Sequence, residues 1–273
     1  MRLFRIVISV LFCIVFSAFT FLYIRDHYIA DRSFPVITVE SDILEVPVDA
    51  DQAQLLEGVT AVDKKDGDLT DKVIVESISK FTEKGVCKVT YSVCDSDNYV
   101  GSATRKIRYK GYKSPVVGLN APMCFPLGVT VDLRDVLSAT DVIDGDISRN
   151  IIYSSSDYET GKTGRFTVDV LVTNSKGDTV QTELPLIIEE RSSNTNVINL
   201  KDYLIYIKKG QKVDYSKYIK NVITSNGKIT ETEVSVDSEV NPNKPGIYLV
   251  HYYTGEEDSF RRAHSILTVV VKG

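Results

Sequence analysis

Apolar positions along the chain fall into two regimes. From Ile6 to Ile24, nineteen residues run without a charge, and only the hydroxyls of Ser9, Ser17 and Thr20 interrupt them. As a helix such a run is roughly 28 Å long at ~1.5 Å per residue, the thickness of a bilayer's hydrocarbon core. Beyond Pro35 the period changes to two. Cys87, Val89, Tyr91 and Val93 alternate with Lys88, Thr90 and Ser92; Phe166, Val168, Val170 and Val172 repeat the pattern, as do Tyr248, Val250 and Tyr252. Alternation of this kind marks half-buried strands. Short strands separated by Gly, Asn and Asp turns predict an all-β chain of sandwiches, about 75 residues each, behind one N-terminal transmembrane helix.

The strands belong to repeats. Leu55–Val75 aligns with Leu133–Tyr153 at an offset of 78, with Leu, Ala, Asp, Asp, Gly and Asp in register. Gly85–Val93 then aligns with Gly164–Val172 at an offset of 79. A degenerate third copy runs from Val213 to Thr230 and closes with Pro245–Tyr253. Two separated blocks with nearly one offset make a repeat far more secure than either block alone. Boundaries fall at 111–114 and 191–196, which gives domains at 35–111, 115–190 and 195–273. Residues 1–5 read as a cytoplasmic tail, 6–24 as the membrane span and 25–34 as a linker. Pro35 and Pro115 each open a first strand, where a missing N–H is tolerated.

These residues resemble tandem bacterial Ig-like domains of the insecticidal-crystal-protein type. The repeats of that family carry a turn that here reads Ala61-Val-Asp-Lys-Lys-Asp-Gly-Asp-Leu-Thr70 and Ala139-Thr-Asp-Val-Ile-Asp-Gly-Asp-Ile-Ser148. Their closing strands correspond to Gly85–Asp95, Gly164–Asn174 and Gly246–Gly255. In the third unit Ile223, Asn226 and Lys228 replace the acids of the turn. The resemblance covers Pro35 to Gly273. It implies three tandem Ig-like sandwiches that serve as an extracellular binding or spacer module without catalysis.

The flanks and charges place the chain. A cleaved signal peptide competes with an anchor for the apolar run. Its core would be long for that class, and Phe16-Ser-Ala18 and Tyr28-Ile-Ala30 put an aromatic where a cleavage site needs a small residue. Phe12 before Cys13 argues against lipoprotein processing. Arg2 and Arg5 before the span nearly balance Arg25 and Arg32 after it, so the positive-inside rule is indecisive. The β domains decide for an N-terminus inside and everything after Arg25 outside. Of the 32 bases, Arg2, Arg5 and Arg25 precede Asp26, so the remainder sets 37 acids against 29 bases, a net of −8. That surface suits neither nucleic acid nor anionic lipid.

Candidate chemistry centres on the acidic turns. Asp63, Asp66 and Asp68, with Asp141, Asp144 and Asp146, sit around Asp-Gly steps that accept positive φ, and a tight turn with solvated acids explains them. Calcium is the functional alternative. The last hairpin loop of the first unit, Asp95-Ser-Asp97-Asn98, falls at the same end of such a sandwich, so five carboxylates can converge there, and hard oxygen ligands suit Ca²⁺. The acids of the second unit would then face the first, where an ion could stiffen the joint. No other cofactor is indicated.

Enzyme signatures are absent: no Gly-x-Ser-x-Gly elbow, phosphate loop or His-Glu-x-x-His occurs. The three histidines, His27, His251 and His264, are scattered; His251 has the outward parity of its strand and is expected to face solvent. Nothing sets a nucleophile beside a base. Cys87 and Cys94 leave one strand on opposite faces and cannot bridge. Cys13 lies in the span, a pairing with Cys124 stays open, and free thiols are the expectation. A lectin surface would want Trp, and there is none; Tyr99, Tyr109, Tyr112, Tyr153 and Tyr158 are the exposed candidates, although Tyr is also a routine strand residue. Three sandwiches reach only ~120 Å from a membrane, and the chain closes on the strand Ile266–Val271. A membrane-proximal partner is therefore expected, either an envelope protein or wall polymer. The alternative is an accessory ectodomain of a membrane enzyme or secretion complex.

Overall fold

The computed structural model describes residues 2–24, 33–130, 132–155, 157–159, 161–192, 195–255 and 262–273. Residues 25–32 of the expected linker, His27 among them, lie outside the described residues, as do Ser193 and Asn194 of the second boundary. The apolar run forms helix α1 (Arg2–Ile24). Its large apolar side chains from Phe4 to Ile24 are all exposed, and Thr20 Oγ1 donates back to the Phe16 carbonyl at 2.7 Å.

Beyond α1 the described residues are mainly β, in three sandwiches that each join a three-stranded sheet to a four-stranded one. In the first sandwich β1 (Val36–Val39), β3 (Val59–Asp63) and β4 (Gly67–Asp68) make one sheet. The other runs β2 (Ile43–Val46), β7 (Val100–Tyr109), β6 (Val86–Cys94), β5 (Ile74–Ile78). The second sandwich repeats this order with β8 (Val116–Leu119), β10 (Leu137–Asp141) and β11 (Gly145–Asp146). They oppose β9 (Cys124–Pro126), β14 (Thr179–Glu189), β13 (Gly164–Thr173) and β12 (Ile152–Ser154). In the third, β15 (Val197–Leu200), β17 (Ile219–Ile223) and β18 (Ile229–Thr230) oppose a second sheet. That sheet is β16 (Leu204–Lys208), β21 (Ala263–Lys272), β20 (Gly246–Thr254) and β19 (Ser235–Ser238). This is a mostly-β, Ig-like architecture, and its repetition explains the sequence offsets. One feature lies outside the sequence pattern: in every copy the chain switches sheets after its first strand. The second strand then pairs in parallel with the last, as β2 with β7, β9 with β14 and β16 with β21.

The alternating strands bury the face their period demands. Cys87, Val89, Tyr91 and Val93 of β6 are buried, and Phe166, Val168, Val170 and Val172 of β13 form the core of the second copy. Cys94, on the other parity, is exposed, and none of the four cysteines is in a disulfide. Gly101 on β7 marks a close approach: a Cβ there would lie 1.9 Å from the Pro35 carbonyl oxygen. The first core also contains Arg105, 4% exposed. Its Nε donates to the Tyr91 hydroxyl at 2.6 Å and its Nη2 to the Leu55 carbonyl at 2.7 Å, while that hydroxyl donates to the same carbonyl at 2.7 Å. Leu55 arrives there on the single-turn helix α2 (Gln52–Leu55), capped by Asp51 and Gln54.

The chain divides into two compact units between Gly111 and Tyr112. No such division falls between the second and third sandwiches. Leu249 of β20 and Ile266 of β21 belong to the apolar core built mainly from the second sandwich, while their neighbours Val250 and Leu267 belong to the third. Strand β21 is therefore buried on both faces from Ala263 to Val269.

Candidate functional site

The acidic turns are built bond for bond alike. Asp63 pairs with Gly67 and Asp141 with Gly145 across each hairpin, and both glycines take positive φ, +73° and +71°. Asp63 Oδ1 accepts from the Lys65 and Asp66 amides at 2.8 and 2.9 Å. Asp141 Oδ1 does the same for Ile143 and Asp144 at 2.9 and 3.1 Å. Asp68 and Asp146 each accept from the amide two residues on, Thr70 and Ser148, at 2.9 Å. Those hydroxyl oxygens in turn accept from the Ala61 and Ala139 amides.

The last hairpin loop does lie at this end. Asp66 accepts from the Ser96 amide and hydroxyl at 2.7 and 2.8 Å, and Asp144 from those of Ser175 at 2.7 Å each. Asp95 Oδ1 accepts from the Asp97 and Tyr99 amides, with Asn174 in its place in the second copy, and Asp97 pairs with Lys65 at 2.6 Å. The hydrogen bonds from Ser96 hold Asp66 below the usual carboxylate range, and those from Thr70 and Ser148 do so for Asp68 and Asp146. Each acid thus fastens a turn or joins two loops. Among the described residues, none of the eight joins a trio of side-chain donors that could grip one ion.

The tyrosines offered as a sugar platform are not exposed. Tyr109 is buried and edge-on to Phe81, Tyr99 packs edge-on against Phe34, and Tyr158 does so against Phe166. Tyr112 donates to Asp178 at 2.8 Å and accepts from Asn174, and Tyr153 is half-buried. Tyr109 thus fills the first core, and the other four are partly covered.

The densest chemistry lies where the second and third sandwiches pack. Here two expectations fail. His251 does not face solvent: its side chain is 12% exposed, because the outer face of the β20–β21 hairpin is covered by the second sandwich. And the fold does set a thiol beside an imidazole. Cys124 opens β9, Glu189 closes the parallel strand β14, and His264 stands on β21. Cys124 Sγ lies 3.3 Å from His264 Nδ1 and 3.4 Å from Glu189 Oε1, and His264 Nδ1 lies 2.7 Å from Glu189 Oε2. On the far side, His264 Nε2 meets His251 Nδ1 at 3.0 Å, and His251 Nε2 lies 3.4 Å from Glu239 Oε1. Tyr253 stacks on the His264 ring at 4.4 Å between centroids.

Arg191 braces the group. It donates to the carbonyls of His264 and Cys124 at 2.8 and 3.3 Å, and its Nε lies 3.1 Å from Glu189 Oε1, an ion pair without hydrogen-bond geometry. Burial, and then the Glu189 charge, push the Cys124 thiol far above its ordinary range. Burial works against the Glu189 charge too, but the His264 hydrogen bond and Arg191 outweigh it and hold that carboxylate below its usual range. Burial, then His264 beside it, lowers His251.

This geometry is not that of a nucleophile and its base. In a catalytic relay the nucleophile and the orienting acid hold opposite nitrogens of the imidazole. Here both address Nδ1, the other nitrogen is taken by His251, and the thiol is kept protonated. No local motif could have announced the group, since its members are 65 and 75 residues apart. The one signal was the apolar run Ile266–Val271, interrupted only by Thr268, which reads as a strand covered on both faces.

No family model matches the chain. Over 179 residues, 63% of the chain, it is 30% identical to the pesticidal crystal protein Cry22Aa of Bacillus thuringiensis. Over 141 residues, 50% of the chain, it is 28% identical to an 81.3 kDa protein of Acholeplasma phage L2. The chain spans only 24% and 18% of the length of these relatives. Among solved structures, carbohydrate-binding and INT domains of Clostridium perfringens ZmpB cover 54% of the chain and 26% of their own at 21% identity and a TM-score of 0.23. Human CDH23 EC21-23 covers 87% of the chain and all of its own at 15% identity, again with a TM-score of 0.23. The similarity in sequence is thus to segments of larger proteins.

Proposed function

We propose that this chain is a non-enzymatic, single-pass bacterial cell-surface protein. Helix α1 holds it in the membrane, the residues before it stay in the cytoplasm, and the sandwiches act outside as a binding module or membrane-proximal spacer. The observation that carries this reading is the contrast between α1 and the rest. From Phe4 to Ile24 its mean hydropathy is 2.5 and none of it is buried, whereas the sandwiches enclose their apolar residues. An apolar surface of that extent is stable only in lipid or against a partner. The convergent rather than serial arrangement at Cys124, and acids committed to turns, support a structural and binding role. An envelope protein or a wall polymer near the membrane is the partner this reading favours.

Protease protection tests it. The full chain, tagged at both ends, is expressed in a bacterium and converted to spheroplasts. External protease should remove the C-terminal tag and spare the N-terminal one, and alkaline carbonate should leave the chain in the membrane. A mature N-terminus beyond Ile24, or release by carbonate, would refute the anchor.

A further inference from the structure

We propose that Cys124, Glu189 and His264 form a binding site for a zinc-class divalent cation that pins the second sandwich to the third. Three observations carry the assignment. First, the three side chains converge: Sγ lies 3.3 Å from Nδ1 and 3.4 Å from Glu189 Oε1, Nδ1 lies 2.7 Å from Glu189 Oε2, and one donor atom from each residue falls within 4.8 Å of the others. Around a tetrahedral zinc, with ~2.3 Å to sulfur and ~2.0–2.1 Å to nitrogen or oxygen, such edges measure about 3.3–3.5 Å. The sulfur–nitrogen edge already fits, and the Nδ1–Oε2 separation has to open by about half an ångström. Second, the donor set is thiolate, imidazole and carboxylate, which suits zinc and not the hard cations calcium or magnesium. Third, the supporting contacts are in place. His264 Nε2 faces His251 Nδ1, so the ring can donate there while Nδ1 binds metal, and stacking on Tyr253 fixes its plane.

The protons balance. Without metal the Nδ1–H of His264 donates to Glu189. On binding, that proton moves to Nε2 and is donated to His251, whose own proton passes from Nδ1 to the Nε2 facing Glu239, and the Cys124 proton leaves to solvent. One thiolate and one carboxylate offset the dication, and Arg191, which stays against Glu189 Oε1, leaves one positive charge over. His264 and Arg191 also line a cleft of about 370 Å³. The ligands come from β9 and β14 on one side and β21 on the other, so the ion cross-links the two sandwiches.

Cobalt is the probe, with the full chain in mild detergent under a phosphine reductant. One equivalent of Co²⁺ should give a thiolate charge-transfer band in the near ultraviolet, and one equivalent of Zn²⁺ should bleach it. Cys124→Ser should lose the band, Cys94→Ser should keep it, and His264→Gln and Glu189→Gln should each weaken cobalt binding at least tenfold. The unmutated chain loaded with zinc should show one sulfur near 2.3 Å by X-ray absorption, a reading that needs no variant to fold. No band, a band that survives Cys124→Ser or vanishes in Cys94→Ser, or a zinc shell without one sulfur would each overturn the site.

Discussion

The buried Arg105 of the first sandwich makes a sharp test of how this core is held. Tyr91 is fully buried, and its hydroxyl stands between the Arg105 Nε and the Leu55 carbonyl, at 2.6 and 2.7 Å. Burial keeps the phenol above its ordinary range, with Arg105 pulling the other way, so it remains the donor to Leu55. In Tyr91→Phe the loss is one oxygen, yet the charged Nε is left buried without that acceptor. An unsatisfied buried group of this kind costs ~2 kcal/mol, and more when it is charged. Arg105→Met removes the charge instead. Tyr91 still donates to Leu55, the Met fills most of the volume, and replacing a buried ion by an apolar side chain is often close to neutral. The second sandwich has made that exchange already: Val170 and Leu184 stand at the positions of Tyr91 and Arg105, 79 residues on. The larger change should therefore be the milder one. With a urea slope of ~2 kcal/mol/M, Tyr91→Phe lowers the midpoint of the first sandwich by ~1 M. Hydrogen exchange of peptides from residues 35–111 across a urea series reads that midpoint separately from the other sandwiches. A Tyr91→Phe shift below ~0.3 M, or a greater loss in Arg105→Met, would refute the reasoning.

Two further outcomes follow from the same sandwich. Gly101→Ala drives a methyl into the Pro35 carbonyl, and overpacking of this kind costs ~1–3 kcal/mol; protection in β1 and β7 should fall, and unchanged exchange there would contradict the close approach. Asp66 has its folded-state value lowered by Ser96, so its contribution is present above the unfolded carboxylate value of ~3.9 and is lost as pH falls through the folded one. Asp66→Asn should accordingly lower the urea midpoint at pH 7 and approach the unmutated chain by pH 2–3; a gap that persists unchanged in acid would count against the linkage.

What the sequence revealed and what it hid divide along a physical line. The acidic turn was legible because its parts are local: Asp63 and Asp141 reach amides two and three residues away, and Gly67 and Gly145 take a conformation that a side chain resists. Strands β6 and β13 were legible for a similar reason, since one face meets a core and the other meets water. The same logic misled at His251. Parity places a residue on the outer face of its own sandwich, but it does not say what lies beyond that face. On β21, Leu267 and Val269 fill the third core while His264 and Ile266 face the second sandwich. Both parities are buried, so alternation carries no information there. The parallel pairing of β9 with β14 brings Cys124 and Glu189 together across 65 residues, and only the docking of β21 adds His264. Groups that meet through two levels of packing leave no spacing to read. In this chain the helix and the turns are written locally, and the most concentrated chemistry arises where one repeat uses another as its solvent.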